Sequence, residues 1–135
     1  MEGYRAGLSY CNEASEKDFI AIDQKKIHRV FANIMRNAIE YVEPPLKVHM
    51  SFTADKKYVH FCMGDNGPGI PENELSQIFQ SFYRIDKSRS RDKGGSGLGL
   101  AICKSIIEAH GGQIQAYNSV SGGLGIKFSL PKVKR

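Results

Sequence analysis

At 135 residues, 41% of them hydrophobic, the chain has the size of one ordinary domain with apolar content enough for one core, so separate catalytic and regulatory domains cannot both be housed in it. Its three cysteines, Cys11, Cys62 and Cys103, are odd in number, far apart and free of any CxxC pair, which excludes a disulfide or zinc framework and fits reduced thiols in a cytosolic setting. The surplus of 19 Lys and Arg over 14 Asp and Glu favours an anionic partner, nucleotide or nucleic acid, and with neither a run of about 18 apolar residues nor a basic-then-apolar start, a soluble chain is expected.

Residues 1–15 are weakly patterned and are expected to be a mobile terminus ahead of a domain over 16–135, with Phe19-Ile20-Ala21-Ile22 as a candidate first strand. Over 23–42, Ile27, Val30, Phe31, Ile34, Ala38 and Val42 recur at helical spacing behind Asp23, an N-cap residue type, and ahead of Pro44-Pro45. A helix of about 30 Å is predicted there. LKVHMSF then alternates with Leu46, Val48, Met50 and Phe52 on one face, and YVHFCM with Val59, Phe61 and Met63, so the polar link ADKK makes the pair a hairpin. The stretch 83–96, YRIDKSRSRDKGGS, is cationic and ends in glycines, the composition of a long mobile loop. Residues 98–110 place Leu98, Ala101, Ile102, Ile106 and Ala109 on one stripe, and Gly111-Gly112 offers a left-handed stop. QIQAYN and LGIKFSL form a second hairpin around SGG, with Ile126, Phe128 and Leu130 on one face. Hairpins alternating with amphipathic helices predict an α+β fold, a two-layer α/β sandwich in which about three helices cover one face of a mixed, mostly antiparallel sheet.

Three polar clusters interrupt this pattern. Asn33, Asn37 and Tyr41, spaced by four with Arg29 extending the row, share one helix stripe. Asparagine disfavours helix interiors, so two of them mid-helix point either to a ligand, such as Mg2+ on a carboxamide oxygen, or to a pair of solvated or helix-packing side chains. DNGPGIP at 65–71 follows a strand, and its glycines let the backbone approach a flat ligand while Asp65 can only accept hydrogen bonds; the alternative is a sharp connector with an Asx turn. GGSGLGL at 94–100 runs into a helix N-terminus, where exposed N–H groups suit phosphate, although neither GxxxxGK[ST] nor GxGxxG is present. Arg84, Lys87, Arg89, Arg91 and Lys93 either close over phosphate charge or form a solvated lid face.

From about residue 20 to residue 131 the chain resembles the catalytic ATP-binding domain of sensor histidine kinases, within the gyrase, chaperone, histidine-kinase and mismatch-repair ATPase superfamily. NIMRNAIEYV is similar to the N box, DNGPGI to the first glycine box, IFQSFYR to the F box, and GGSGLGLAICKSIIEAHGG to the second glycine box, all in the family's order. The resemblance implies a Bergerat-type sandwich with a mobile ATP lid. It implies that Asn37 is the Mg2+ ligand and a catalytic residue with Asn33 nearby, that Asp65 accepts from the adenine amino group, and that Tyr41 flanks the nucleotide. Gly67, Gly69 and Ile70 would shape the adenine pocket, Phe79 and Phe82 anchor the lid base, Tyr83 and Lys87 belong to the nucleotide-contacting lid, and Arg84 reach the terminal phosphate. Gly95, Ser96, Gly97 and Gly99 would form the hinge and phosphate turn, with Leu98 and Leu100 beneath it. Many relatives carry Lys where this chain has Glu40, and a carboxylate cannot replace that phosphate contact.

The fold alone does not choose the reaction. Relatives that hydrolyse ATP carry Glu four residues before the metal-binding Asn; here that position is Asn33, which cannot take a proton, so negligible hydrolysis is expected. The resemblance implies transfer of the γ-phosphoryl group to a histidine on a separate dimerisation domain, since His28, His49, His60 and His110 all lack the family's H-E/D-x-R-T-P context. ATP and Mg2+ are the implied cofactors, that domain and a downstream response regulator the implied partners, with no nucleic acid and no membrane contact by this domain. The implied location is cytoplasmic, within a membrane-anchored parent. A non-catalytic ATP-sensing module is the alternative function, and a basic nucleic-acid binder using 84–93 a more distant one, lacking the interleaved aromatics of base stacking.

Overall fold

The computed structural model describes residues 6–15, 18–81, 83, 99–119 and 122–133. Five strands form one sheet in the order β1-β2-β3-β5-β4: β1 (Ala6–Asn12), β2 (Leu46–Ala54), β3 (Tyr58–Asp65), β4 (Gln113–Asn118) and β5 (Leu124–Pro131). β1 lies parallel to β2 and the remaining pairs are antiparallel, which is the mixed, mostly antiparallel sheet expected. Two α-helices, α1 (Gln24–Tyr41) and α2 (Gly99–Ala109), share one buried core with it. Between β3 and α2, among the described residues, a 3-10 turn over Glu72–Glu74 continues through successive i→i+3 bonds to Tyr83, and this segment buries Ile78 and Phe79.

Periodicity builds the sandwich. On α1, Ile27, Val30, Ile34 and Ala38 are buried, and on α2, Leu100, Cys103, Ile106 and Ile107. They meet Leu46, Val48, Met63, Ile114, Leu124, Ile126, Phe128 and Leu130, the inward positions of four strands. Phe61 and Phe128, opposite one another in the β3–β5 ladder, stack at 4.8 Å, and the Phe31 ring meets them edge-on at 6.0 and 5.6 Å. Each such pair is worth about 0.5–1.5 kcal/mol beyond its buried area, which pins α1 to the middle of the sheet.

The ends of both helices obey the local chemistry. Asp23 caps α1, its Oδ1 accepting from Lys26 N–H at 3.2 Å. α2 stops at Gly111 (φ +82°): Gly112 N–H reaches Ile107 O and Gly111 N–H reaches Glu108 O, both at 3.0 Å, a Schellman closure. His110 joins the two ends, with Asp23 N–H donating to its Nε2 at 3.0 Å and its Nδ1 donating to Ile106 O at 2.8 Å. That double engagement makes it structural. Replacing Asp23 by alanine removes the cap and leaves this clamp on the main chain, so a stability loss of about 1 kcal/mol is expected in urea denaturation.

The N-terminal region departs from expectation. Residues 6–12, expected to lie in an unpatterned terminus, form the edge strand β1, while Phe19–Ile22 makes only an isolated bridge, Ile20 to Lys132. An edge strand is held by one ladder, here to β2, and needs little alternation of its own. The segment at 18–22 is instead fixed by Asp18 against Lys132 Nζ (2.7 Å) and by Val133 N–H on Phe19 O (2.8 Å). Residues 1–5 lie outside the described residues.

Candidate functional site

At the end of β3 the chain leaves the core through Asp65, the buried charged side chain among the described residues, at 8% exposure. Its Oδ1 accepts from Gly67 N–H at 2.9 Å and from Leu124 N–H at 3.0 Å. Among the described residues no donor reaches Oδ2. Burial raises the Asp65 pKa above the ordinary carboxylate value, and the two main-chain donors oppose that shift without cancelling it. One oxygen thus orients the group while the other remains an acceptor in a poorly solvated place, where a donor on a ligand is worth more than in water.

The turn after Asp65 is held from both sides by asparagines. Asn66 Oδ1 accepts from Lys47 N–H at 2.7 Å and its Nδ2 donates to Pro45 O at 3.0 Å, tying the turn to the α1–β2 connection. Asn118, at the end of β4, does the same to Ile70: Oδ1 accepts from Ile70 N–H at 3.1 Å and Nδ2 donates to Ile70 O at 2.9 Å. Between them Gly69 (φ +72°) makes the bend, and a Cβ built there would stand 2.8 Å from Asn118 Oδ1 and Gly122 O. Ser119 Oγ donates to Asp65 O at 3.5 Å and accepts from Gly123 N–H at 3.2 Å. Gly67, Gly69 and Ile70 thus share one turn with Asp65.

Helix α1 supplies the facing wall. Asn37 lines a narrow cleft with Asp65, Ile34, Met35, Ala38, Val48 and Met63. Its volume of about 10 Å³ is water-sized, so it takes the polar edge of a ligand and not a whole ring. Among the described residues the Asn37 carboxamide has no hydrogen-bond partner. Asn33, one turn earlier, is engaged: its Nδ2 donates to Gly99 O at 3.2 Å, joining α1 to the first turn of α2. It also hydrogen-bonds Cys103, whose thiol burial nevertheless pushes up to about 12. The two asparagines therefore differ: Asn33 packs the helices together, and the half-buried Asn37 keeps its carboxamide open to the cleft. Tyr41 and Glu40 are half-buried on the last turn of α1, and Leu100 is buried beneath Gly99.

Tyr83 donates its hydroxyl to Glu74, and burial together with that carboxylate holds its pKa at about 12, so it acts as a neutral anchor. Phe79 is buried. Phe82, Arg84, Lys87, Arg89, Arg91, Lys93, Gly95, Ser96, Gly97 and Leu98, and with them the expected lid, lie outside the described residues. A larger concavity of about 320 Å³ lies on the other face of the sheet, lined by His60, Cys62, Gln113, Gln115, Lys127 and Ser129. It brings no buried charge to a point, whereas the smaller cleft holds Asp65. Asn66, Asn118, Ser119 and the Leu124 N–H are site components that sequence reasoning missed. Gly122-Gly123 was the one available signal, and it reads equally well as a hairpin turn.

Residues 22–134 match the family described as histidine kinase-, DNA gyrase B- and HSP90-like ATPase. The sensor histidine kinase WalK of Bacillus subtilis is 41% identical over 117 residues, covering 84% of this chain and 19% of that protein. The histidine-protein kinase BaeS of Escherichia coli is 38% identical over 109 residues, covering 81% and 23%. The chain thus spans about a fifth of the length of the curated relatives it matches. Among solved structures, the mycobacterial sensor histidine kinase MprB superposes with a TM-score of 0.81 at 26% identity, covering 96% of this chain and 86% of that one. The catalytic domain of the histidine kinase ThkA gives 0.78 at 30% identity over 94% and 79%. ThkA in complex with the response regulator protein TrrA gives 0.76 at 28% over 96% and 36%. The sandwich is therefore a fold these kinases share, and the chain belongs to the histidine kinase-, DNA gyrase B- and HSP90-like ATPase family.

Proposed function

We propose that this chain is the ATP-binding catalytic domain of a sensor histidine kinase, which holds Mg-ATP and presents the γ-phosphoryl group to a histidine on a separate dimerisation domain. The observation that carries the reading is Asp65, a buried carboxylate with Oδ1 fixed by two main-chain donors and Oδ2 without a described donor, beside Asn37, which has no hydrogen-bond partner among the described residues. Such an oxygen is suited to the exocyclic amino group of adenine. Gly67, Gly69 and Ile70 form the wall beside it, and Tyr41, Gly99 and Leu100 belong to the surrounding helices. Arg84, Lys87, Gly95, Ser96, Gly97 and Leu98 would supply the phosphate side.

The residues present fit Mg2+ as a companion of the nucleotide. Among the described residues no three His, Cys, Asp or Glu side chains gather into a metal cage. A cation here would take the Asn37 oxygen and phosphate oxygens, the mode Mg2+ favours over all-protein coordination. When bound, it neutralises charge on the phosphates. The chain itself offers position, not a base: Asn33 cannot accept a proton, and it is occupied with Gly99. None of its four histidines has the sequence context of the family's acceptor, and two are tied down in the fold: His110 has both ring nitrogens engaged, and His60 is paired with Asp55 at 2.8 Å.

The further partner proposed is a response regulator, as found with the relative ThkA. We place the domain in the cytoplasm; among the described residues no helix is long and apolar enough to cross a membrane. Glu40, in place of the usual lysine, favours the second reading, a module that binds ATP and signals without transfer. Incubation with γ-labelled ATP and Mg2+ decides between them. Label is expected on an added histidine-bearing dimerisation domain of the parent kinase and not on this chain alone. Strong labelling of the chain by itself would refute the missing acceptor, and retention of ATP with no transfer to the added domain would favour the sensing module.

A further inference from the structure

We propose that Asn118 is a positioning residue that sets purine selectivity, by holding the main chain of Ile70 in register with Asp65. The inference rests on Asp65 being the acceptor for the base. A carboxamide carries a donor and an acceptor in one plane, and Asn118 uses both on a single residue 48 positions away, Ile70 N–H at 3.1 Å and Ile70 O at 2.9 Å. Asn118 is the last residue of β4 and is exposed, contributing nothing to the core, so what its side chain does in the structure is bond Ile70.

The next residues hold the other end of the turn. Ser119 Oγ donates to Asp65 O at 3.5 Å, and Leu124 N–H donates to Asp65 Oδ1 at 3.0 Å. Both ends of the six-residue turn, Asp65 and Ile70, are thus referenced to the same β4–β5 hairpin. Gly69 permits that approach, since any Cβ would meet Asn118 Oδ1 and Gly122 O. A carboxylate oxygen accepts from the 6-amino group of adenine and repels the 6-oxo group of guanine. That distinction is sharp only while the ring is kept within about half an ångström of its place. Releasing Ile70 lets the wall relax, so the adenine contact lengthens and the penalty on guanine fades.

The test is calorimetric titration of the full chain with Mg-ADP and Mg-GDP, with thermal unfolding measured in parallel. Asn118→Leu, similar in size, removes both bonds to Ile70; Asn118→Asp keeps the acceptor and loses the donor. For both, the preference for ADP over GDP is expected to fall about tenfold, mostly through weaker ADP binding, with the unfolding temperature lowered by only a few degrees. If Asn118→Leu does not fold, Asn118→Asp gives the same reading. An unchanged ADP-to-GDP ratio in a folded variant, including equal weakening of both nucleotides, would overturn the role of Asn118 alone. Failure of the parent chain to bind ADP would overturn the nucleotide reading of Asp65 and this inference with it.

Discussion

Asp65→Asn is expected to weaken adenine nucleotide binding about 10- to 100-fold, or about 1–3 kcal/mol, while the chain stays folded. An asparagine can keep the bonds from Gly67 and Leu124 by turning its oxygen toward them. Its NH2 then replaces the free carboxylate oxygen, and a donor confronts the amino donor of the base. Titration calorimetry with ADP checks this, and an unchanged affinity would remove Asp65 from the site. The pH profile is a second reading of the same group. Because burial raises its pKa, Asp65 protonates above the ordinary carboxylate range, and the parent's affinity should fall as pH drops through that raised value. The variant should lose this dependence.

Stability has the opposite sign. Below the unfolded carboxylate value of 3.8 both states are protonated and the raised pKa has no effect. As pH rises from there to the folded value, the unfolded chain ionises first, so stability falls; above the folded value the whole cost of burying the charge is present. At neutral pH Asp65→Asn should therefore be no less stable than the parent. A residue that costs stability where it works is one selected for the site and not for the core.

A large loss of stability is expected from Gly123→Ala. A Cβ at that position would overlap Asp65 O and Oδ1, and the backbone it strikes is held by the β2–β3 ladder, where Asp65 pairs with Val48, and cannot move aside. Overpacking against main chain puts the cost at about 3 kcal/mol, a fall of roughly 10 °C in melting temperature followed by circular dichroism. Nucleotide affinity should fall with it, because the clash displaces the carboxylate. A melting temperature within about 2 °C of the parent would mean that the hairpin can be pushed off the turn, and that the Leu124 bond does not fix Asp65.

Much of this architecture was legible in the residues. α1 was readable from its apolar stripe and Asp23, and α2 from its stripe and Gly111, because helix periodicity and capping are local. Both hairpins were readable from strict alternation, since one face of the sheet is covered and the other is not. Strand β1 was not, because its place comes from pairing with β2 and not from any pattern in Ala6–Asn12.

The same division runs through the site. Asp65 and Asn37 stand out in one dimension as polar groups interrupting an apolar pattern, although an Asx turn for the one and a solvated or packing side chain for the other stayed open there. The asparagine stripe could not say which member was committed to packing; the Gly99 carbonyl under Asn33 decided that. Asn118, Ser119 and the Leu124 N–H become part of the site only through bonds spanning 48 to 59 residues. Composition and periodicity determined the layers and the candidate carboxylate, because those follow from neighbours along the chain. Which donors orient that carboxylate, and which residue holds the wall beside it, follow from β5 lying next to β3, a proximity that strand pairing creates and no local sequence encodes.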